Sequence, residues 1–200
     1  TVISAVIIKD IDLANKIAAK ILLEDDQNQE AYIVSLVYLF SNQKFTKINE
    51  IHQTLKEKNE LIDFIFFNNN ELKDKNTISN DLVNIVVSSF SDTDQRSLNY
   101  NFLLFYTSLS KIINPENDRA TLIKGELYQN VKKEKIARNI FESIDKNSPY
   151  YVEAQKSLAY NYSTFLSFQE AVIEINRLLE NTDDNYFIKK ILADFYRYEK

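Results

Sequence analysis

Between Asp118 and Lys200, small, aromatic and apolar positions recur in one order at one interval. Gly125, Tyr128, Ala137, Phe141 and Ile144 recur, at the single offset that carries 125 to 159, as Ala159, Tyr162, Ala171, Ile175 and Leu178, so small matches small and apolar matches apolar. Ala193 and Tyr196 begin a third copy, and only Pro149 is not repeated, Asp183 standing in its place. Self-similarity at a fixed period marks a repeat architecture. The small residues give it a physical basis: two antiparallel helices joined by a short turn approach closely only where the crossing carries almost no side chain, which predicts Gly125 against Ala137 and Ala159 against Ala171.

The same pattern read upstream predicts further helices. "DLANKIAAKILLEDD" fits a second helix with Ala14, Ala18 and Ile21 on one face, and residues 29–58 read as a complete helix pair. Pro115, one such interval before Pro149, closes a degenerate unit over about 84–117, with helices near 82–91 and 96–113 and Leu103 where a small residue belongs. About 63–83, "DFIFFNNNELKDKNTISND", falls out of phase, and 186–199 supplies a first helix only.

Composition sharpens this. With 44% hydrophobic residues, one Gly and two Pro in 200 residues, the chain can bury a large core and has few punctuators of turns and hairpins, which favours helices joined by short polar corners. A helical Gly costs about 0.5–1 kcal/mol relative to Ala, so Gly125 is expected where packing offsets the loss. Pro115 and Pro149 cannot continue a helix and so end one unit and set the entry to the next. A net charge of −5 and the absence of any apolar run of span length argue against nucleic-acid binding and a membrane span. No cysteine is present, which leaves the redox compartment open. The opening lacks signal-peptide features, favouring the cytoplasm and leaving the periplasm open. There is no Met, even at position 1, so the sequence reads as a piece of a longer chain, and self-association through its cut ends is expected.

In "GELYQNVKKEKIARNIFESIDKNSP", Gly125, Tyr128, Ala137, Phe141 and Pro149 occupy five positions at which this segment resembles the tetratricopeptide repeat, a helix–turn–helix unit whose period is the interval found above. The Trp and Leu of that pattern are replaced by Thr121 and Lys124, although the next unit has Leu158. The whole is similar to multi-repeat tetratricopeptide proteins of α-proteobacteria, well over 118–200 and more loosely before. The resemblance implies an all-α, right-handed superhelical solenoid of antiparallel helix pairs with degenerate N-terminal units. Residues 1–117 would hold degenerate repeats with the out-of-phase segment, and 118–200 two regular units plus the first helix of a third. It also implies binding rather than catalysis, with no cofactor.

Candidate chemistry is sparse. His52 is the sole histidine, so any metal site or Ser/His/Asp triad would have to be built around it alone, and its phase reads as a packed, satisfied core residue. "SDTDQRSLNYNF" fails as a calcium loop, with Ser97 for the required Gly and Leu103 for the Glu. Asp25, Asp26, Asp183 and Asp184 read as corner caps. Tyr128, Tyr162 and Tyr196 read as core packing between paired helices. Phe64, Phe66 and Phe67 either close the broken stack from inside or expose an anchor for a partner.

The resemblance places a concave groove on one face of the first helices. That face would carry Arg119, Leu122, Glu126, Gln129 and Asn130, then Glu153, Lys156, Tyr160 and Ser163, then Phe187, Lys190, Asp194 and Arg197. Its mixture of signs and aromatics suits a peptide or helix of another protein, while Leu122 and Glu126 stand where a carboxylate clamp would need Lys and Asn. The expected function is a non-enzymatic scaffold for protein–protein interaction, with an accessory helical domain of a larger cell-envelope enzyme or assembly as the alternative.

Overall fold

The computed structural model describes residues 1–55, 60–92, 99–182 and 186–198. Among them the chain forms twelve helices and one two-residue β-ribbon, an all-α protein as expected. It divides into two compact units, Thr1–Ala120 and Thr121–Lys200, and the division falls inside a helix that begins at Asp118.

The first unit opens with α1 (Val2–Ile7) and α2 (Ile11–Glu24), followed by α3 (Gln29–Ser41) and α4 (Phe45–Leu55). Asp10 and Asn28 cap α2 and α3 by accepting the backbone N–H of Leu13 at 2.9 Å and Ala31 at 3.0 Å. α3 buries Ala31, Ile33, Val34, Leu36 and Val37, more than one face of a helix holds, because it is contacted by α2 and α4 and by two later helices, α5 (Glu60–Phe66) and α7 (Tyr100–Ile113).

The α1–α2 and α3–α4 turns share one geometry. Lys9 and Gln43 have φ of 63° and 56°. In each turn the following N–H reaches back along the helix, Asp10 to Ala5 O at 2.9 Å and Lys44 to Leu39 O at 2.8 Å. That is a Schellman cap with a non-glycine residue in the left-handed position. Position 9 is separated from position 43 by the same interval that separates 125 from 159.

The out-of-phase segment has its own form. α5 ends in β1 (Phe67–Asn68), which pairs antiparallel with β2 (Glu71–Leu72), Phe67 facing Leu72. The turn is Asn69–Asn70, both with positive φ, the hairpin geometry that Asn tolerates best after Gly. α6 (Lys75–Asp92) starts earlier than the expected helix near 82, because Asp74 caps it by accepting from the backbone N–H groups of Asn76 and Thr77 and from the Thr77 hydroxyl. α6 packs on α7 through serines: Ser79 and Ser110 each donate to the other's carbonyl oxygen, at 3.0 and 2.9 Å. The close approach sought at Leu103 is therefore made at Ser79 and Ser110, and Leu103 itself is buried. The ends expected at 56–58 and 96–98 lie outside the described residues.

In the second unit α8 (Asp118–Asn130), α9 (Glu134–Glu142), α10 (Tyr151–Phe165), α11 (Phe168–Asn181) and α12 (Tyr186–Tyr198) follow in order. α10 packs against α9, α11 and α12. The repeating positions agree in burial: Ala137 and Ala171, Phe141 and Ile175, Ile144 and Leu178 all lie in one core with Ala159 and Tyr162. The α8–α9 turn is a third Schellman cap, with Lys132 at φ 57° and Lys133 N–H to Tyr128 O at 2.8 Å.

Two expectations need correction. The nearest neighbour of Gly125 is the ring of Phe141 rather than Ala137, and a Cβ on the glycine would approach that ring to 2.4 Å, so glycine makes room for an aromatic ring. Tyr196 is about half exposed and meets Phe168 edge-on at 5.4 Å, whereas Tyr162 is buried and Tyr128 packs on the core. The third tyrosine is thus outside the core its two equivalents join.

Candidate functional site

The expected face is assembled in part. Within the second unit, Glu126 of α8 lies close enough to Glu153 of α10 for the two carboxylates to repel. Glu153 pairs with Lys156 at 3.4 Å, and the Lys156 ammonium stands 5.9 Å from the Phe187 ring centroid of α12. Three helices, α8, α10 and α12, therefore contribute to one continuous set of acid, base and aromatic. Burial, and secondarily Glu153, holds the Glu126 carboxyl above the usual carboxylate range, because the charged form loses solvent and faces a like charge.

Other members of the face have structural occupations. Gln129 Oε1 accepts from Asn161 Nδ2 at 3.0 Å, and Asp194 pairs with Arg197 at 2.8 Å. Arg119, in the first unit, donates to Asn84 Oδ1 at 2.9 Å. Leu122 is buried in the core, so it does not line a surface. Asn130, Tyr160 and Lys190 are exposed, Tyr160 by 53%. Phe66 and Phe67 are buried and close this segment from inside, while Phe64 is half exposed beneath the Lys73 ammonium. His52 is buried at 2% exposure, stacked on Phe67 at 3.6 Å with Nε2 2.9 Å from Asp63 Oδ1, a satisfied core histidine. Asp25 accepts the Gln27 N–H at its corner, while Asp183 and Asp184 lie outside the described residues, as do residues 93–98 of the rejected calcium loop.

Sequence reasoning missed a second locality, between α9 and α11. Two adjoining clefts of about 360 and 440 Å³ share Glu142, Tyr162, Glu174 and Arg177. Tyr162 donates its hydroxyl to Glu142 Oε1 at 3.1 Å. Burial, then the Glu142 carboxylate, pushes the phenol well above its ordinary range, so it stays a proton donor. Arg138 lies 5.2 Å from the Tyr162 ring centroid and donates Nε–H to Asn161 Oδ1 at 3.2 Å. The available signal was Tyr162 itself, whose polar end needs a partner wherever its ring is buried.

No described helix is long and apolar enough to cross a membrane. Comparison with protein-family models, with curated proteins and with solved structures finds no match.

Proposed function

We propose that this chain is a non-enzymatic scaffold of tetratricopeptide type, its helix pairs stacked as a right-handed solenoid, that binds a peptide or helix of another protein along the face of its first helices. The observation that supports this reading is the set drawn from three helices of the second unit: Glu126, Glu153, Lys156 and Phe187, flanked by exposed Tyr160. A surface carrying both signs of charge beside aromatic rings fits a polypeptide, which offers both signs and apolar side chains, better than a polyanion. Matched burial at the repeat interval supports the repeat.

The test is a double substitution, Lys156→Glu with Tyr160→Ala, used beside the unaltered protein to retrieve a partner and measure its affinity. Tyr160 is exposed, whereas Lys156 is mostly covered and pairs with Glu153, so the charge reversal should lower the melting temperature somewhat, and affinity is compared only on variant protein that a melting curve shows to be folded. Affinity should fall by about tenfold or more, since an interfacial aromatic beside a charge is a frequent hot spot. A folded variant that binds as tightly as the original removes this face from the account.

A further inference from the structure

We propose that the cleft between α9 and α11 binds an arginine or lysine side chain presented by a peptide, a site distinct from the face of the first helices and independent of it. The charge at the cleft is uneven. Glu142, Glu170 and Glu174 line it against Arg138 and Arg177, an excess of one carboxylate. Arg138 is committed to Asn161 and to the Tyr162 ring. Arg177 reaches Glu174 only at 3.9 Å, with most of its side chain in solvent. The middle of the cleft, around the Tyr162 hydroxyl, is therefore acidic, with Glu142 and Glu174 both close to it.

The second observation is Gln155. It is only 5% exposed, it lines the 440 Å³ part of the cleft, and its side-chain amide has no hydrogen-bond partner among the described residues. The amide is not sealed off, since Thr182 Oγ1 is the one fully buried side-chain polar atom without a partner among the described residues, so the Gln155 amide opens into the cleft, where a ligand can take the place of water as its partner. A primary amide offers donor and acceptor side by side, the complement of a peptide group. Leu158, Leu178 and Tyr151 supply the apolar wall along which the methylenes of a long basic side chain can lie. The cation then meets Glu142 and Glu174 while the peptide backbone meets Gln155, which favours a peptide over a free amino acid or a metal ion.

The probe is a blocked glycine–arginine–glycine peptide, titrated into the whole chain and followed by amide chemical shifts in NMR. Shift changes are expected on α9 and α11 around Glu142 and Glu174. Glu142→Gln and Glu174→Gln should each weaken binding by about tenfold, the scale of one charge-assisted hydrogen bond, and Glu142→Gln keeps an acceptor for Tyr162 so the fold is preserved. Gln155→Leu should weaken the peptide and leave free arginine unaffected. Replacing the arginine of the probe by norleucine should abolish binding. The proposal is overturned by shifts confined to helices other than α9, α10 and α11, by affinity unchanged from the original protein in both glutamine variants, by norleucine binding as well as arginine, or by free arginine binding as tightly as the peptide.

Discussion

Gly125 shows how one residue is fixed by a neighbour that the chain's own periodicity does not name. The repeat aligns Gly125 with Ala159, which suggests that alanine would serve at both. Helix propensity alone would even favour it, by up to about 1 kcal/mol. Against this stands the Phe141 ring, three of whose carbons would lie 2.4 to 2.9 Å from an added Cβ, on a side chain with no exposed surface into which to retreat. Overpacking of this kind costs typically about 1–3 kcal/mol, so steric conflict outweighs propensity. Gly125→Ala should lower stability to urea; a gain would show that the ring can move aside. At position 175, the equivalent of 141, the chain has Ile in place of Phe, consistent with Ala159 being tolerated there. Glu126, the next residue, makes a prediction about pH. Its carboxyl is held above the ordinary range by burial and then by Glu153. A raised folded-state value means that the folded protein holds its proton more tightly than the unfolded chain. The associated stability is fully present below the unfolded carboxylate range and is lost as pH rises through the folded value. Glu126→Gln should therefore flatten the fall in melting temperature between acid and neutral pH and raise stability at neutrality. Identical pH profiles for the two proteins would show that Glu126 carries no such desolvation cost.

At the level of elements, the helices were readable wherever apolar periodicity and capping coincided, and the turns were not. α3, α10 and α11 follow their apolar positions, and Ser167 with Glu170 marks the start of α11, where the Glu170 carboxylate accepts from both the Ser167 N–H and hydroxyl. The Schellman caps after α1, α3 and α8 escaped because their left-handed residues are Lys9, Gln43 and Lys132 rather than glycine. A search for turns by Gly and Pro passes over them. The Asn69–Asn70 hairpin escaped for the same reason: asparagine takes the two left-handed positions in place of glycine, and the segment that holds them read only as out of phase. A left-handed conformation costs an L-residue roughly 1–2 kcal/mol, and glycine escapes that cost while losing more chain entropy on folding. The side chains of Gln43 and Lys132 are exposed, so little packing is at stake. Gln43→Gly and Lys132→Gly should each stabilise the protein by up to about 1 kcal/mol in denaturant unfolding. If either substitution destabilises, the caps do not persist in solution as described.

For the molecule as a whole, period and phase assign residues to a side of a helix, while their partners depend on contacts between helices that the sequence does not name. Glu126 with Glu153 and Lys156 with Phe187 are contacts of that kind, as is Tyr162 with Glu142 in the second cleft. The pairing decides what class of ligand the surface can hold. Nucleic acid needs cations available to replace the counterions along a phosphate backbone, and binding then weakens steeply with salt. Here Arg197 is already paired with Asp194 at 2.8 Å and Lys156 with Glu153 at 3.4 Å, and the chain carries a net charge of −5. Two of the four cations of the face are thus paired with carboxylates on the same helices. Fluorescence anisotropy with labelled duplex DNA and with single-stranded RNA should show no association even at low ionic strength. Association that disappears as salt is added would mean that these ion pairs open to phosphate and would move the protein out of the peptide-binding class altogether.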